Sequence, residues 1–254
     1  MKNEMTELLQ SHRSIRAFTS EKVSKGMIKE IIESGRWAPT SHHVQAYSIV
    51  VVTDQQKKDT LSELCGSQKY VADCPVFFVI CADYNRLKKA SDKHGAPLEV
   101  GGIEQVLVGA VDAALVAENM LIAARSYGLG GVMIGGIRNL PDQVSELLDL
   151  PDYTFPVMGL CIGYPDQNPA QNPAQKPRLP KAGAVHYETY QHDQITSSLD
   201  QYDEEMKQYY SERTNGTRKT TWTEMMAAHH STPKRAHLDQ FLKNQGFLHS
   251  DTKD

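Results

Sequence analysis

Apolar positions along the chain fall into two alternating patterns, one with helical spacing and one strand-like. Met27, Ile28, Ile31 and Ile32 share one helical face, and Ser24 stands where the N-cap of that helix belongs. Residues 47–53 (YSIVVVT) and 75–82 (PVFFVICA) are β-rich apolar runs of strand length, and 131–134 and 155–162 read as two more strands. These runs are continuously apolar, so they suit a sheet covered on both faces. The segment 104–127 is the strongest helix, roughly 36 Å long at 1.5 Å per residue. Its apolar and small residues, among them Leu107, Val108, Val111, Ala114 and Leu115, cover most of its circumference. Such a helix must be buried on nearly all sides, and a subunit interface achieves that more easily than one domain. Asp112, Glu118, Asn119 and Arg125 interrupt the run, which favours a buried soluble helix over a membrane span.

The character changes after Ile162. Residues 166–180 hold a tandem NPAQ-NPAQ followed by KPRLP, and proline there predicts an extended strap. Segments 198–213, 221–230 and 233–244 read as polar-faced helices. The organisation expected is one domain over 1–254, with the strap at 166–180 and a helical excursion over 190–254. The tail 249–254 is expected to fray.

Composition narrows the function. The net charge of -4 gives no electrostatic reason for nucleic-acid or membrane partners. The N-terminal MKNEMTELLQS lacks the apolar core of a signal peptide, so a cytoplasmic location is the default expectation. Cys65, Cys74, Cys81 and Cys161 contain no CxxC and no paired metal-ligand spacing, so neither disulfides nor a zinc site is expected. His42 and His43 are adjacent and lack the spacing of helical metal ligands; no metal is expected.

Three clusters could carry chemistry. His12-Arg13-Ser14-Ile15-Arg16 packs two guanidinium groups, an imidazole and a hydroxyl into five residues, and guanidinium forks match phosphate oxygens bidentately. A solvated, charged helix end accounts for the same residues. The run Gly128-Leu-Gly130-Gly131-Val-Met-Ile-Gly135-Gly136-Ile-Arg138 lets a backbone approach a flat or phosphorylated ligand closely. It is no Rossmann fingerprint, because Met133 stands where the third glycine belongs and a helix, not a strand, precedes it. Glycines that merely end the long helix explain Gly128 to Gly131, and explain Gly135, Gly136 and Arg138 less well. In Lys176-Pro177-Arg178 the proline holds the backbone extended, so both cations point the same way and can clamp an anion. Basic residues in a linker are also common. No GxSxG, HExxH or nucleophile–base pair is present, so the chemistry is expected to lie in a cofactor.

HRSIRAF, GSQKYV, GLGGVMIGGIRN and KPRLP, in this order, together with the C-terminal YYSERTNGTRKTTW, make the chain resemble the oxygen-insensitive NADPH nitroreductases and their flavin reductase relatives. The likeness runs over almost the whole chain. It implies an α+β, nitroreductase-like fold with a central, mainly antiparallel sheet flanked by helices, where the alternating pattern alone would suggest a parallel one. It also implies a domain-swapped homodimer with two FMN sites at the interface. By the same resemblance His12, Arg13, Ser14 and Arg16 hold the flavin phosphate and ring edge. Gln68, Tyr70, Thr40 and Ser41 line the flavin, Ile134, Gly135, Gly136 and Arg138 approach it, and Lys176 and Arg178 clamp it. Arg213, Arg218 and Arg235 match positions associated with the NADPH 2′-phosphate. Met133 and the Pro39-to-His43 loop depart from common family residues, which touches substrate preference, and the NPAQ duplication lengthens the strap.

The resemblance implies an NAD(P)H oxidoreductase, NADPH preferred, that reduces nitro compounds, quinones or flavins by two-electron ping-pong hydride transfer. Arg16 or Lys176 would act as electrostatic stabiliser. The rivals are a flavin reductase that supplies free reduced flavin, and a nucleotide- or flavin-binding protein without turnover. A dehydrogenase using nicotinamide alone fits least, because the dinucleotide fingerprint is missing.

Overall fold

The computed structural model describes residues 2–168, 172 and 174–248. The expected fraying of 249–254 therefore lies outside the described residues, as do three residues of the tandem repeat (169–171) and Pro173. The elements follow in the order α1 (Glu4–Gln10), α2 (Lys25–Arg36), β1 (Tyr47–Val52), α3 (Gln55–Leu64), α4 (Lys69–Asp73), β2 (Val76–Asp83) and α5 (Asn85–Lys93). After these come α6 (Ile103–Ser126), β3 (Gly130–Ile134), α7 (Pro141–Leu147), β4 (Thr154–Gly163), α8 (Ile195–Arg213), α9 (Trp222–His230) and α10 (Leu238–Asn244). Ser24 caps α2 by accepting from the Met27 amide at 3.2 Å, as its place in the pattern predicted.

The chain divides into two compact units, residues 1–172 with 235–254, and residues 173–234. The first is built on a four-stranded sheet in the order β1-β2-β4-β3, with every neighbouring pair antiparallel. Strand β2 is buried at every position. Its residues alternate between two cores: Val76, Phe78, Ile80 and Ala82 face the α6 side, and Phe77, Val79 and Cys81 face the other. That alternation explains the continuous apolar run, since both faces of the sheet are covered. The fold class is the α+β one that the resemblance implied. Apolar periodicity reports burial and not strand direction, so the pattern alone could not exclude a parallel sheet.

Helix α6 organises this unit. It has 24 residues and is the one helix among the described residues long and apolar enough to cross a membrane by length and composition. One side of it is packed: Ala113, Val116, Ala117, Met120, Leu121 and Ala124 are buried in the core beside α2 and the sheet. Close approach requires glycine at Gly131 in β3, where a Cβ would press on the Cys161 carbonyl and on the side chains of Ile162 and Leu121. The opposite side is bare. Ile103, Leu107, Val111 and Leu115, spaced four apart, remain 59, 53, 54 and 39% exposed. All-round burial of α6 is thus not reached within a single chain.

The last helix starts later than its apolar spacing suggested, at Leu238, because Arg235 takes a left-handed conformation (φ 52°) that ends any helical path from Pro233. Downstream, Phe241 and Phe247 enter the first unit's core, and Phe247 meets Tyr84 and Phe155 edge-to-face at 5.8 and 5.1 Å between ring centroids. In the second unit Tyr202, Met206 and Tyr210 of α8 pack with Trp222 and Met225 of α9, and Thr221 and Glu224 form a capping box at the start of α9.

Asp112 is fully buried in α6, where an unpaired carboxylate would be strongly unfavourable. Its two oxygens accept from the amides of Ser41 at 3.1 Å and Ala46 at 3.0 Å, which ties the 41–46 loop to the helix. Replacing it by alanine leaves both amides without their acceptor, and Asp112→Ala should lower the unfolding free energy by about 3 kcal/mol. Urea unfolding measures this, and a loss below about 1 kcal/mol contradicts the anchoring role.

Candidate functional site

The segment after α1 is laid along the edge of β3. Ile15 is buried, its amide donates to the Gly131 carbonyl at 2.9 Å, and Gly130 packs against its side chain. Phe18 then forms a bridge with Pro165. With Ile15 held inward, Arg13 and Arg16 are exposed and His12 and Ser14 are half-buried. The C-terminal end of α1 is itself fixed by Arg125 of α6, which donates to the Leu8 carbonyl and, at 2.9 Å, to the Ser11 hydroxyl. Burial lowers the Arg125 pKa from its ordinary value, and Glu118 partly offsets that.

Several of the expected residues converge here. A Cβ on Gly136 would collide with the Cys65 carbonyl and the Gln68 side-chain nitrogen, so the backbone of the glycine run lies directly on the loop that carries Gln68. Gln68 donates to the Cys65 carbonyl at 2.6 Å, and its side-chain oxygen accepts from the Tyr70 hydroxyl. The Arg16 guanidinium carbon stands 6.0 Å from the centroid of the Tyr70 ring. Gly136, Gln68, Tyr70 and Arg16 therefore form one continuous chain of neighbours. Ile134 is buried at the end of β3, and Gly135 leads from it into a 3₁₀ turn over Gly135–Arg138.

Arg138 is turned inward at the end of that turn, donating to the Val157 carbonyl. Burial lowers its pKa, and the like charge of Arg235 lowers it further. Arg235 is held beside it by donating to the Asn139 side chain at 2.9 Å. Two guanidinium groups brought together in this way attract an anion. Thr40 and Ser41 lie on the loop anchored by Asp112, in which His42, His43 and Gln45 have φ of 45, 56 and 53°. Strain of this kind in non-glycine residues marks a loop whose shape is imposed by its surroundings.

The remaining expected cations belong to the second unit. Arg218 lies 4.0 Å from the Tyr210 ring centroid, and the Lys176 ammonium lies 5.8 Å from the same centroid. Arg178 folds back to donate to the Lys176 carbonyl at 3.1 Å. Tyr202 donates to the Pro177 carbonyl at 3.0 Å, and Arg213 is the last residue of α8. Arg235 is thereby assigned to a different unit from Arg213 and Arg218. All four cysteines are free and buried, and burial pushes the Cys65 and Cys81 thiols up to about 12, so they behave as small hydrophobes.

Asp112, Arg125 and Asn172 hold these parts in place, yet in the sequence the first two stand out only as interruptions of an apolar run and the third as a repeat unit. The available signal was Asp112 itself, since a carboxylate in an otherwise apolar helix has to find buried donors.

Proteins similar to this chain are known over nearly its whole length. The model of the nitroreductase family matches residues 9–164, and that of its C-terminal domain matches residues 176–250. The FMN reductase [NAD(P)H] of Bacillus subtilis is 42% identical over 96% of this chain and 98% of its own length. The oxygen-insensitive NADPH nitroreductase of Salmonella typhimurium is 42% identical over 95% of this chain and 97% of its own. The solved structure of a hypothetical oxidoreductase from Bacillus subtilis superposes with a TM-score of 0.93 at 41% identity, covering 97% of this chain and 98% of that one. The strand order, the arginine-bearing segment after α1 and the glycine turn behind β3 thus occur in a chain that belongs to the nitroreductase family.

Proposed function

We propose that this chain is an FMN-dependent NAD(P)H oxidoreductase, with NADPH preferred, that reduces nitro compounds, quinones or flavins two electrons at a time. The observation that carries the reading is the continuous neighbourhood of Arg16, Tyr70, Gln68 and Gly136, beside Arg13, in a chain of this family. Those residues fit FMN by their chemistry: two guanidinium groups suit a phosphate, and glycine-enforced backbone contact beside an amide and a phenol suits a flat, hydrogen-bonding ring. The relatives' names specify FMN and NAD(P)H. FMN, when bound, takes two electrons from NADPH and passes them to an acceptor.

The protein's own groups then have assigned tasks. His12, Arg13, Ser14 and Arg16 hold the phosphate and ring edge. Gln68, Tyr70, Ile134, Gly135, Gly136 and Arg138 line the ring, together with Thr40 and Ser41, whose loop Asp112 presents. Lys176 and Arg178 form the clamp, and either Arg16 or Lys176 offsets the negative charge gained on reduction. Arg213, Arg218 and Arg235 are assigned to the NADPH 2′-phosphate by the family resemblance, and for Arg235 the nearby positive charge of Arg138 favours an anion. The strap and the helical excursion are read as serving the same FMN-binding function as the rest of the chain, although the chain divides into two compact units. The acceptor enters the space that NADPH leaves. A flavin reductase that releases reduced FMN is the second reading, favoured by the name of the Bacillus subtilis relative.

The bare stripe on α6 supports a homodimer, because Ile103, Leu107, Val111 and Leu115 form the apolar row that a second copy would cover. The neighbouring Thr40–Ser41 loop would then lie at the interface, in keeping with FMN sites completed by both subunits.

Four measurements test this reading. Purified protein is yellow, and its flavin bands bleach on anaerobic addition of NADPH; a colourless protein that neither takes up FMN nor oxidises NADPH removes the central claim. Turnover with free FMN, a quinone and a nitroaromatic then separates the two readings. Arg16→Ala and Lys176→Ala each raise the FMN dissociation constant about ten- to hundredfold or shift the flavin potential, and unchanged values in both variants sink their assignment. The double variant Leu107→Glu, Val111→Glu sediments at monomer mass while the parent sediments as a dimer; a monomeric parent refutes the interface.

A further inference from the structure

We infer that Asn172, the asparagine of the second NPAQ copy, is a positioning residue that sets the phosphate-binding arginines for FMN. The inference rests on the cofactor reading above. Asn172 is 2% exposed, an unusual place for an amide taken from a polar, proline-rich repeat. Its side-chain oxygen accepts from the amides of Arg16 at 3.0 Å and Ala17 at 3.1 Å. Its side-chain nitrogen donates to the carbonyls of Ala17 at 2.8 Å and Asp166 at 2.9 Å. A side-chain amide has two acceptor sites and two N–H groups, so the full capacity of this one is used.

Three of those four bonds go to the backbone of Arg16 and Ala17. The Asn172 main chain adds a contact to the other arginine, since Arg13 donates to its carbonyl at 3.4 Å. One buried residue therefore touches both guanidinium-bearing positions of the cradle. The course of the segment is already fixed without it, by the Ile15 amide on Gly131, by the Phe18–Pro165 bridge and by the Thr19 amide on Tyr164. Asn172 adds the local backbone direction at Arg16, on which the aim of the guanidinium depends. Bidentate recognition of phosphate loses strength quickly when the fork is misaimed, whereas a flat ring tolerates such an error.

The duplication acquires a meaning as well. Asn168 and Asn172 are equivalent positions of the two copies, and the amide that clips the cradle comes from the second. The Asn172 amide donates to the Asn168 carbonyl at 3.2 Å, so the first copy supports the docking of the second.

The test is a comparison of FMN with riboflavin, which lacks the phosphate, binding to full-length protein freed of its flavin. Asn172→Ala should lower the preference for FMN over riboflavin about tenfold, with riboflavin affinity held within about twofold. A general loosening of the fold would weaken both ligands alike and leave the ratio unmoved. Asn172→Ser, which keeps the buried site polar but cannot span both strands of the clip, should lower the ratio similarly and serves if the alanine variant does not fold. A ratio equal to that of the parent overturns the role of Asn172 while leaving the cofactor reading intact. A parent protein that binds FMN no better than riboflavin overturns both.

Discussion

The structure depends on the burial of a single 24-residue helix, α6. Its packed side joins α2 to the sheet, and the small residues on it bring the backbones close enough for side chains to interdigitate. Apolar burial contributes roughly 25 cal/mol per Å² removed from water, so a helix covered over much of its length dominates the core. Two polar residues on the same helix carry that rigidity outward. Asp112 fastens the 41–46 loop, and Arg125 fastens the end of α1 just ahead of His12. The loops bearing Thr40 and Ser41 and bearing His12 to Arg16, both assigned to FMN in the proposed function, are thereby tied to the same helix.

This arrangement suits an enzyme whose chemistry lies in a bound cofactor. The protein's task is to hold groups at fixed positions, and the cheapest way is to anchor short loops to an element that cannot move. The cradle after α1 is pinned by Ile15 on the sheet side, by Arg125 at its beginning and by Asn172 at its end. Gln68 and Tyr70, which the proposed site places along the ring, are fixed by hydrogen bonds within their own loop and by contact of Gln68 with the glycine turn. Positively charged side chains are left exposed on this frame at Arg13 and Arg16, while Arg138 turns inward to the Val157 carbonyl and Arg235 is held by Asn139.

Much of the fold was legible in the residues. All four strands and α6 fall where apolar runs of the right length predicted them, and Ser24 caps the helix it precedes, because burial and capping are local signals. The candidate site was legible as types and order of residues: arginines after a helix, a glycine run after the long helix, a Lys-Pro-Arg clamp. What lay out of reach was which of these meet. The contact of Gly136 with Gln68 joins positions far apart in sequence, and nothing in either motif names the other. The start of α10 was misplaced because Arg235, an ordinary-looking residue, is drawn into a left-handed conformation while hydrogen-bonded to Asn139.

The sequence by itself determined the four strands, α2, α6 and the helices after the strap, the two-sided burial of the sheet and the stock of phosphate-binding groups, since periodicity and side-chain chemistry are properties of short segments; α3, α4, α5 and α7 came only with the structure. Strand direction lay outside the hydrophobic pattern and came from the family resemblance, while only the tertiary structure decided the bare outer stripe of α6 and the anchoring roles of Asp112, Arg125 and Asn172. Each of these depends on a partner distant along the chain. A buried carboxylate or amide announces that it needs donors or acceptors, but the folded backbone alone determines whose they are.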